Sequence, residues 1–125
     1  MEISYRAPYH RAVDALAVID AFNAAWNEHD LAAALALCTE DIVFEGTDPA
    51  PDGRRFEGRE AVAESWRPIF EQREAFFAFE EIVPCGPDRV VQRWRYAWGT
   101  GHVRGIDLVT LRDGLIAEKL SYVKG

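Results

Sequence analysis

Residues 89–123 read RVVQRWRYAWGTGHVRGIDLVTLRDGLIAEKLSYV, three runs rich in Val, Trp, Tyr, Ile and Leu, separated by Gly99-Thr100-Gly101 and Arg112-Asp113-Gly114. β-branched and aromatic residues favour strands, and short glycine-bearing breaks between such runs are hairpin signals. The stretch therefore predicts three antiparallel strands, Arg89 to Trp98, His102 to Leu111 and Leu115 to Val123. Both connections read as three-residue loops with a glycine at a left-handed position. Trp98 then faces His102 and Leu111 faces Leu115, so that Arg93 pairs with Asp107 and Asp107 with Lys119. Side chains alternate along a strand, which gathers Arg93, Arg95, Asp107, Lys119 and Ser121 on one face. Trp94, Tyr96, Trp98, Ile106, Leu108, Leu120 and Tyr122 take the other. A two-residue loop at Gly99 would shift the register by one and turn Trp94 and Tyr96 inward in place of Arg93 and Arg95.

A fourth strand, Ala75 to Val83, precedes these three, and the chain upstream is mainly helical. Ala15, Ile19, Phe22 and Trp26 recur at spacings of four, three and four, the stripe of an amphipathic helix running from Arg11 to Glu28. Asp30 is placed to cap a second, short helix over Leu31 to Leu37. Ile42 to Glu45 is a short strand ended by Gly46, and Asp48 to Gly58, with two prolines and two glycines, is a loop suited to a lid or mouth. Helical spacing returns from Arg59 to Arg73, with Pro68 inside it predicting a kink or break near Ser65. The order is α-α-β-α-β-β-β-β, helices on one side of a mostly antiparallel sheet, an α+β domain over residues 11–125 behind an N-terminal arm over 1–10.

The 125 residues are 49% hydrophobic and 28% charged, which suits one globular domain and excludes two. Fourteen basic and 21 acidic residues leave a net charge of −7 with no basic run, so nucleic acid is not an expected partner. No apolar stretch approaches the roughly 20 residues that span a bilayer, and Met1 to His10 lacks the apolar segment of a signal peptide. Cys38 and Cys85 form no metal or disulfide pattern and read as reduced thiols of a cytoplasmic protein. His10, His29 and His102 are scattered, so no metal is expected. No Gly-rich phosphate loop and no GxSxG appears, and no cofactor or covalent hydrolase is expected.

In order and spacing the chain resembles the nuclear transport factor 2-like superfamily, in particular its SnoaL-like branch. The resemblance is carried by Phe22-Asn23-Ala24-Ala25-Trp26-Asn27 with Asp30-Leu31, Glu40-Asp41-Ile42-Val43-Phe44, Phe56-Glu57-Gly58-Arg59-Glu60-Ala61-Val62, and Gly105-Ile106-Asp107-Leu108 through Arg112-Asp113-Gly114-Leu115-Ile116. It implies a cone-shaped fold whose bent sheet wraps a long helix and leaves a pocket open at one end. It does not imply one activity, because the superfamily holds isomerases, cyclases, hydrolases, dehydratases and non-catalytic members. In its ketosteroid isomerases the position matching Asp107 carries a pocket acid, and in its cyclases those matching Lys119 and Ser121 carry a His and an Asp. The polar face would then line the pocket. The aromatic face would be the convex outside, which predicts a homodimer built on Trp94, Tyr96, Trp98 and Tyr122.

Asp107 is the candidate catalytic residue, as a proton acceptor or as one half of a buried ion pair with Arg93 and Lys119. Phe22, Trp26, Phe44, Trp66 and Phe70 are the expected apolar wall, and Arg93, Arg95, Lys119 and Ser121 the expected polar ligand contacts. Three cations against one carboxylate make the inner face net positive and favour an anionic head. This chain departs from its relatives at Phe22, where the isomerases carry a phenol, at Gly46, where they carry a second carboxylate, and at Lys119 and Ser121. Two functions follow. One is a small-molecule pocket with acid–base chemistry of isomerase, cyclase or hydratase type on an apolar carbonyl or carboxylate ligand. The other is a binding or dimerisation module that has lost that chemistry.

Overall fold

The computed structural model describes residues 2–125, with side chains from Ala15 onward. The arm expected over residues 1–10 has no described side chains. Helix α1 spans Glu2–Asn27 and α2 Leu31–Ala36. Strand β1 is Cys38–Glu45, β2 is Arg55–Glu57, and α3 is Arg59–Phe70. Four strands follow, β3 Phe76–Pro84, β4 Arg89–Trp98, β5 Gly101–Arg112 and β6 Leu115–Val123. They form one six-stranded sheet in the order β2-β1-β6-β5-β4-β3, antiparallel except where β1 runs parallel to β6. The α+β class and the order of the helices are as expected, but α1 begins at Glu2 and not at Arg11, so the backbone of the expected arm continues the helix. The three-residue β2 is an addition, since a strand that short and exposed leaves no periodic signal.

The stripe on α1 is buried as its spacing predicts, with Ala15, Ile19, Phe22 and Trp26 all in the core. Asp30 caps α2 by accepting from the Ala33 amide at 3.0 Å. Asn27 fastens the end of α1 to the edge strand β3, donating to the Phe77 carbonyl and accepting from its amide at 2.9 and 2.8 Å. Helix α3 does not break at Ser65. Pro68 falls in its last turn, where only one backbone donor is lost, and the Glu71 amide resumes the ladder onto Arg67 at 3.0 Å.

The register of β4 corrects the sequence reading. Trp98 pairs with Gly101, so the loop holds only Gly99 and Thr100, and Gln92 stands opposite Asp107 with Trp94 opposite Gly105. Gly101 lies in the strand because the Trp98 indole packs over it: a Cβ there would sit 3.2 Å from that ring. Gly105 likewise makes room for Trp94, whose ring would lie 2.4 Å from an added Cβ. The second turn is also two residues long, Asp113 and Gly114, both at positive φ (54° and 79°), the pattern of an Asp-Gly type I′ hairpin. A register shift follows between Thr110 and Leu111, so Asp107 pairs with Ser121 and Lys119 with Val109. Loop and shift together move the pairing by two residues, which is why Asp107, Lys119 and Ser121 still share a face.

Candidate functional site

Trp94 and Tyr96 point into the cone, and Arg93 and Arg95 point out. Arg93 lies on the exposed face, 3.4 Å from Glu81 and 3.8 Å from Glu80, while Arg104 reaches Glu80 at 2.9 Å. That hydrogen bond from Arg104 holds the Glu80 carboxyl below its ordinary range. The expected inward arginines, and the net positive inner face built on them, are therefore corrected, as is an outer, dimer-forming face that contained Trp94, Tyr96 and Trp98: the Trp98 ring lies 6.1 Å from that of Tyr96, beside Pro68 and Ile69 of α3.

Between the concave side of the sheet, the end of α1 and α3 lies a cavity of about 580 Å³. Trp26, Phe44, Phe56, Phe77, Trp94 and Tyr96 supply its aromatic wall. Its polar floor is Asp107, Lys119 and Ser121. Thr47, Asp48 and Arg54, from the loop read as a mouth, line it together with Glu64 of α3. Phe22, Trp66 and Phe70, expected on the wall, are core residues one layer behind it. Their rings lie 6.0, 5.0 and 4.3 Å from that of Trp26 and hold it in place.

Asp107 is 3% exposed, and each of its oxygens is engaged. Oδ1 accepts from Trp94 Nε1 at 2.9 Å and from Ser121 Oγ at 2.7 Å, while Oδ2 accepts from Gln92 Nε2 at 3.0 Å. Gln92 is fixed in turn by paired amide hydrogen bonds with Asn23 of α1, at 2.8 and 3.2 Å. Lys119, 7% exposed, donates to Ser121 Oγ at 2.9 Å and has Nζ 3.5 Å from Asp107 Oδ1. The same ammonium stands over the rings of Trp26 and Phe44, 5.3 and 5.0 Å from their centroids. Burial raises the Tyr96 phenol, so it remains a hydroxyl donor at neutral pH.

Asn23 and Gln92 are the site residues that the sequence reading missed, while Trp94 and Tyr96 enter the cavity as the two-residue alternative for the Gly99 loop implied. A glutamine alternating with Val90 and Trp94 on a strand otherwise apolar on that side was the available signal, and the loop length concealed it. Chemically, the floor offers a locked carboxylate and, beside it, an ammonium with its charge balanced.

The fold and much of the sequence are shared with known proteins. The chain is similar to an NTF2-like protein of unknown function from Mesorhizobium loti, 40% identical over 92% of this chain and 94% of that one, with a TM-score of 0.83. It is also similar to a computationally designed 17-OHP binder, 25% identical over 89% of this chain and 91% of the other, TM-score 0.75. Rv0760c from Mycobacterium tuberculosis is 25% identical over 87% and 90% of the two chains, TM-score 0.74. That protein also has a structure in complex with estradiol-17beta-hemisuccinate. No curated protein matches the chain. The profile of the SnoaL-like domain matches residues 19–119, a span that runs from the buried stripe of α1 to the lysine of the cavity floor. The chain thus belongs to the SnoaL-like domain family of the nuclear transport factor 2-like superfamily.

Proposed function

We propose that this protein binds a small, mainly apolar ring compound carrying an oxygen function, enclosed in the cone. The observation that carries this reading is the cavity itself. Its volume falls within the range of drug-sized ligand sites, and its aromatic walls converge on one cluster of polar groups. The designed 17-OHP binder supports it, since the same fold at 25% identity was built around a ligand of this kind. Trp26 and Trp94 line the cavity, so occupancy is read as quenching of tryptophan emission. Titration with 17-OHP should give saturable quenching, and Val103→Trp, which fills the cavity from an exposed strand position, should remove it. Absence of saturable binding across a panel of apolar ring compounds would overturn the reading.

Between acid–base catalysis at Asp107 and binding alone, the geometry favours binding. A general base is favoured by a weakly bonded carboxylate, and Asp107 is held by three donors, Trp94 and Ser121 on Oδ1 and Gln92 on Oδ2, with Lys119 alongside. Phe22, the position of the relatives' phenol, lies in the core at 1% exposure. We further propose a homodimer through the outer face of β5 and β6, where Ile106, Tyr122 and Val123 stand exposed beside Arg93 and Arg104. Cys38 and Cys85 are both free thiols, which fits the cytoplasm, and no described helix is long and apolar enough to cross a membrane.

A further inference from the structure

We infer that Lys119 is the group that meets the ligand's oxygen, that Asp107 is a positioning residue acting through it, and that the cavity selects an uncharged carbonyl compound over the matching carboxylate. This rests on the ligand-binding reading above and adds which atom binds and which ligand charge is accepted.

The donors and acceptors of the floor can be counted. Asp107 Oδ1 receives Trp94 and Ser121 and faces Lys119, and Oδ2 receives Gln92, so an ionised Asp107 has no proton to offer a ligand oxygen and its fuller oxygen is the one beside the lysine. An ammonium has three N–H donors. Lys119 places one on Ser121 and turns a second toward Asp107 at the longer distance of 3.5 Å. The third has no acceptor among the described residues, and the ammonium stands over the faces of Trp26 and Phe44, both walls of the cavity. A desolvated ammonium stabilised on one side by π faces gains most from an oxygen acceptor delivered by the ligand.

Charge balance sets which acceptor fits. Lys119 and Asp107 neutralise one another, the arginines that would have made the interior positive lie on the outer face, and the other charged residues of the lining, Asp48, Arg54 and Glu64, are exposed to solvent. A ligand carboxylate at Lys119 would put a second negative charge on a floor with one cation, between aromatic walls that cannot solvate it. A ketone or aldehyde oxygen accepts the same hydrogen bond without that cost.

The probes are three 2,6-disubstituted naphthalenes: the ketone dye prodan, its carbonyl-free parent 6-propyl-2-dimethylaminonaphthalene, and 6-dimethylamino-2-naphthoic acid. Prodan emission moves to the red when its carbonyl accepts a hydrogen bond. The wild-type protein should bind prodan at least about ten-fold tighter than either companion, with red-shifted emission. Lys119→Met should abolish the advantage of the ketone over the parent and return the emission to the blue. Asp107→Asn leaves the lysine unbalanced, and should invert the selection so that the acid binds more tightly than prodan. A loss of packing alone would not produce that inversion. Should Lys119→Met fail to fold, the double variant with Asp107→Asn removes both charges together and carries the same emission readout. Equal binding of ketone and parent, a ketone preference surviving Lys119→Met, or an acid preference in the wild type overturns the inference while leaving the binding reading intact. If none of the three binds, this inference falls, and the binding reading is decided separately by the 17-OHP titration and the panel of ring compounds.

Discussion

Cys38 shows what burial does to a single group in this fold. Its side chain is sealed between α2 and β1, donating weakly to the Ala34 carbonyl at 3.4 Å, and desolvation pushes the thiol from 9.0 up to about 12 against the pull of Arg59 and Lys119. In the unfolded chain the same thiol ionises near pH 9. Between pH 9 and 12 the native state therefore holds a proton that the unfolded state has lost, and stability falls as pH rises. Three pH units correspond to on the order of 4 kcal/mol. Urea denaturation of the wild type across that interval should show this loss, and Cys38→Ala should flatten it; parallel profiles would mean the thiol is solvated. Asp107 is the opposite case, a charge kept inside by its partners. Asp107→Ala strands the Lys119 ammonium and three donors, and should cost about 3–5 kcal/mol in chemical denaturation. A change below about 1 kcal/mol would show that water reaches the floor.

Among the elements, the helices were legible because burial on one side leaves a period in the sequence. Ala15, Ile19, Phe22 and Trp26 are spaced for a stripe, and they are buried as a stripe. The strands were legible too, but their faces were not, because facing depends on loop length and a change of one residue reverses it. At Gly99-Thr100-Gly101 the last glycine was read as a turn residue, whereas its lack of a side chain serves the ring of Trp98. At Asp113-Gly114 the shorter loop is offset by the shift beyond Thr110, so the facing of Asp107, Lys119 and Ser121 came out right on a pairing that was not. Gly114 does serve the turn, with φ of 79°. Gly114→Ala should destabilise the protein by about 1–2 kcal/mol in urea, through the cost of a Cβ in the left-handed region. Asp113→Asn should be tolerated, since Asn suits the same turn position. A neutral Gly114→Ala would indicate that the hairpin relaxes to another turn.

Over the whole molecule, the inside and the outside of the cone divide the charges differently from the sequence expectation. The buried floor of the cavity holds one balanced pair among aromatic walls, and the outer face of β3 to β6 carries Arg93, Arg104, Glu80 and Glu81 around exposed apolar side chains. Ile106 and Tyr122 are 42% and 58% exposed on adjacent strands, and they pair directly across β5 and β6. Cations and carboxylates on one face let a second copy related by a two-fold axis set arginines against glutamates while the apolar centre is buried. Tyr is also among the residues that most often dominate interface energetics. Trp94 and Tyr96 contribute nothing here, since both face the cavity. Light scattering should therefore give a dimer for the wild type at high micromolar concentration, and Ile106→Glu should give a folded monomer that retains ligand-induced quenching. Trp94→Glu, by contrast, should lose the fold or the cavity before it changes the oligomeric state. A wild-type monomer under those conditions, or a dimer unaffected by Ile106→Glu and Tyr122→Glu together, would remove the outer face as the interface.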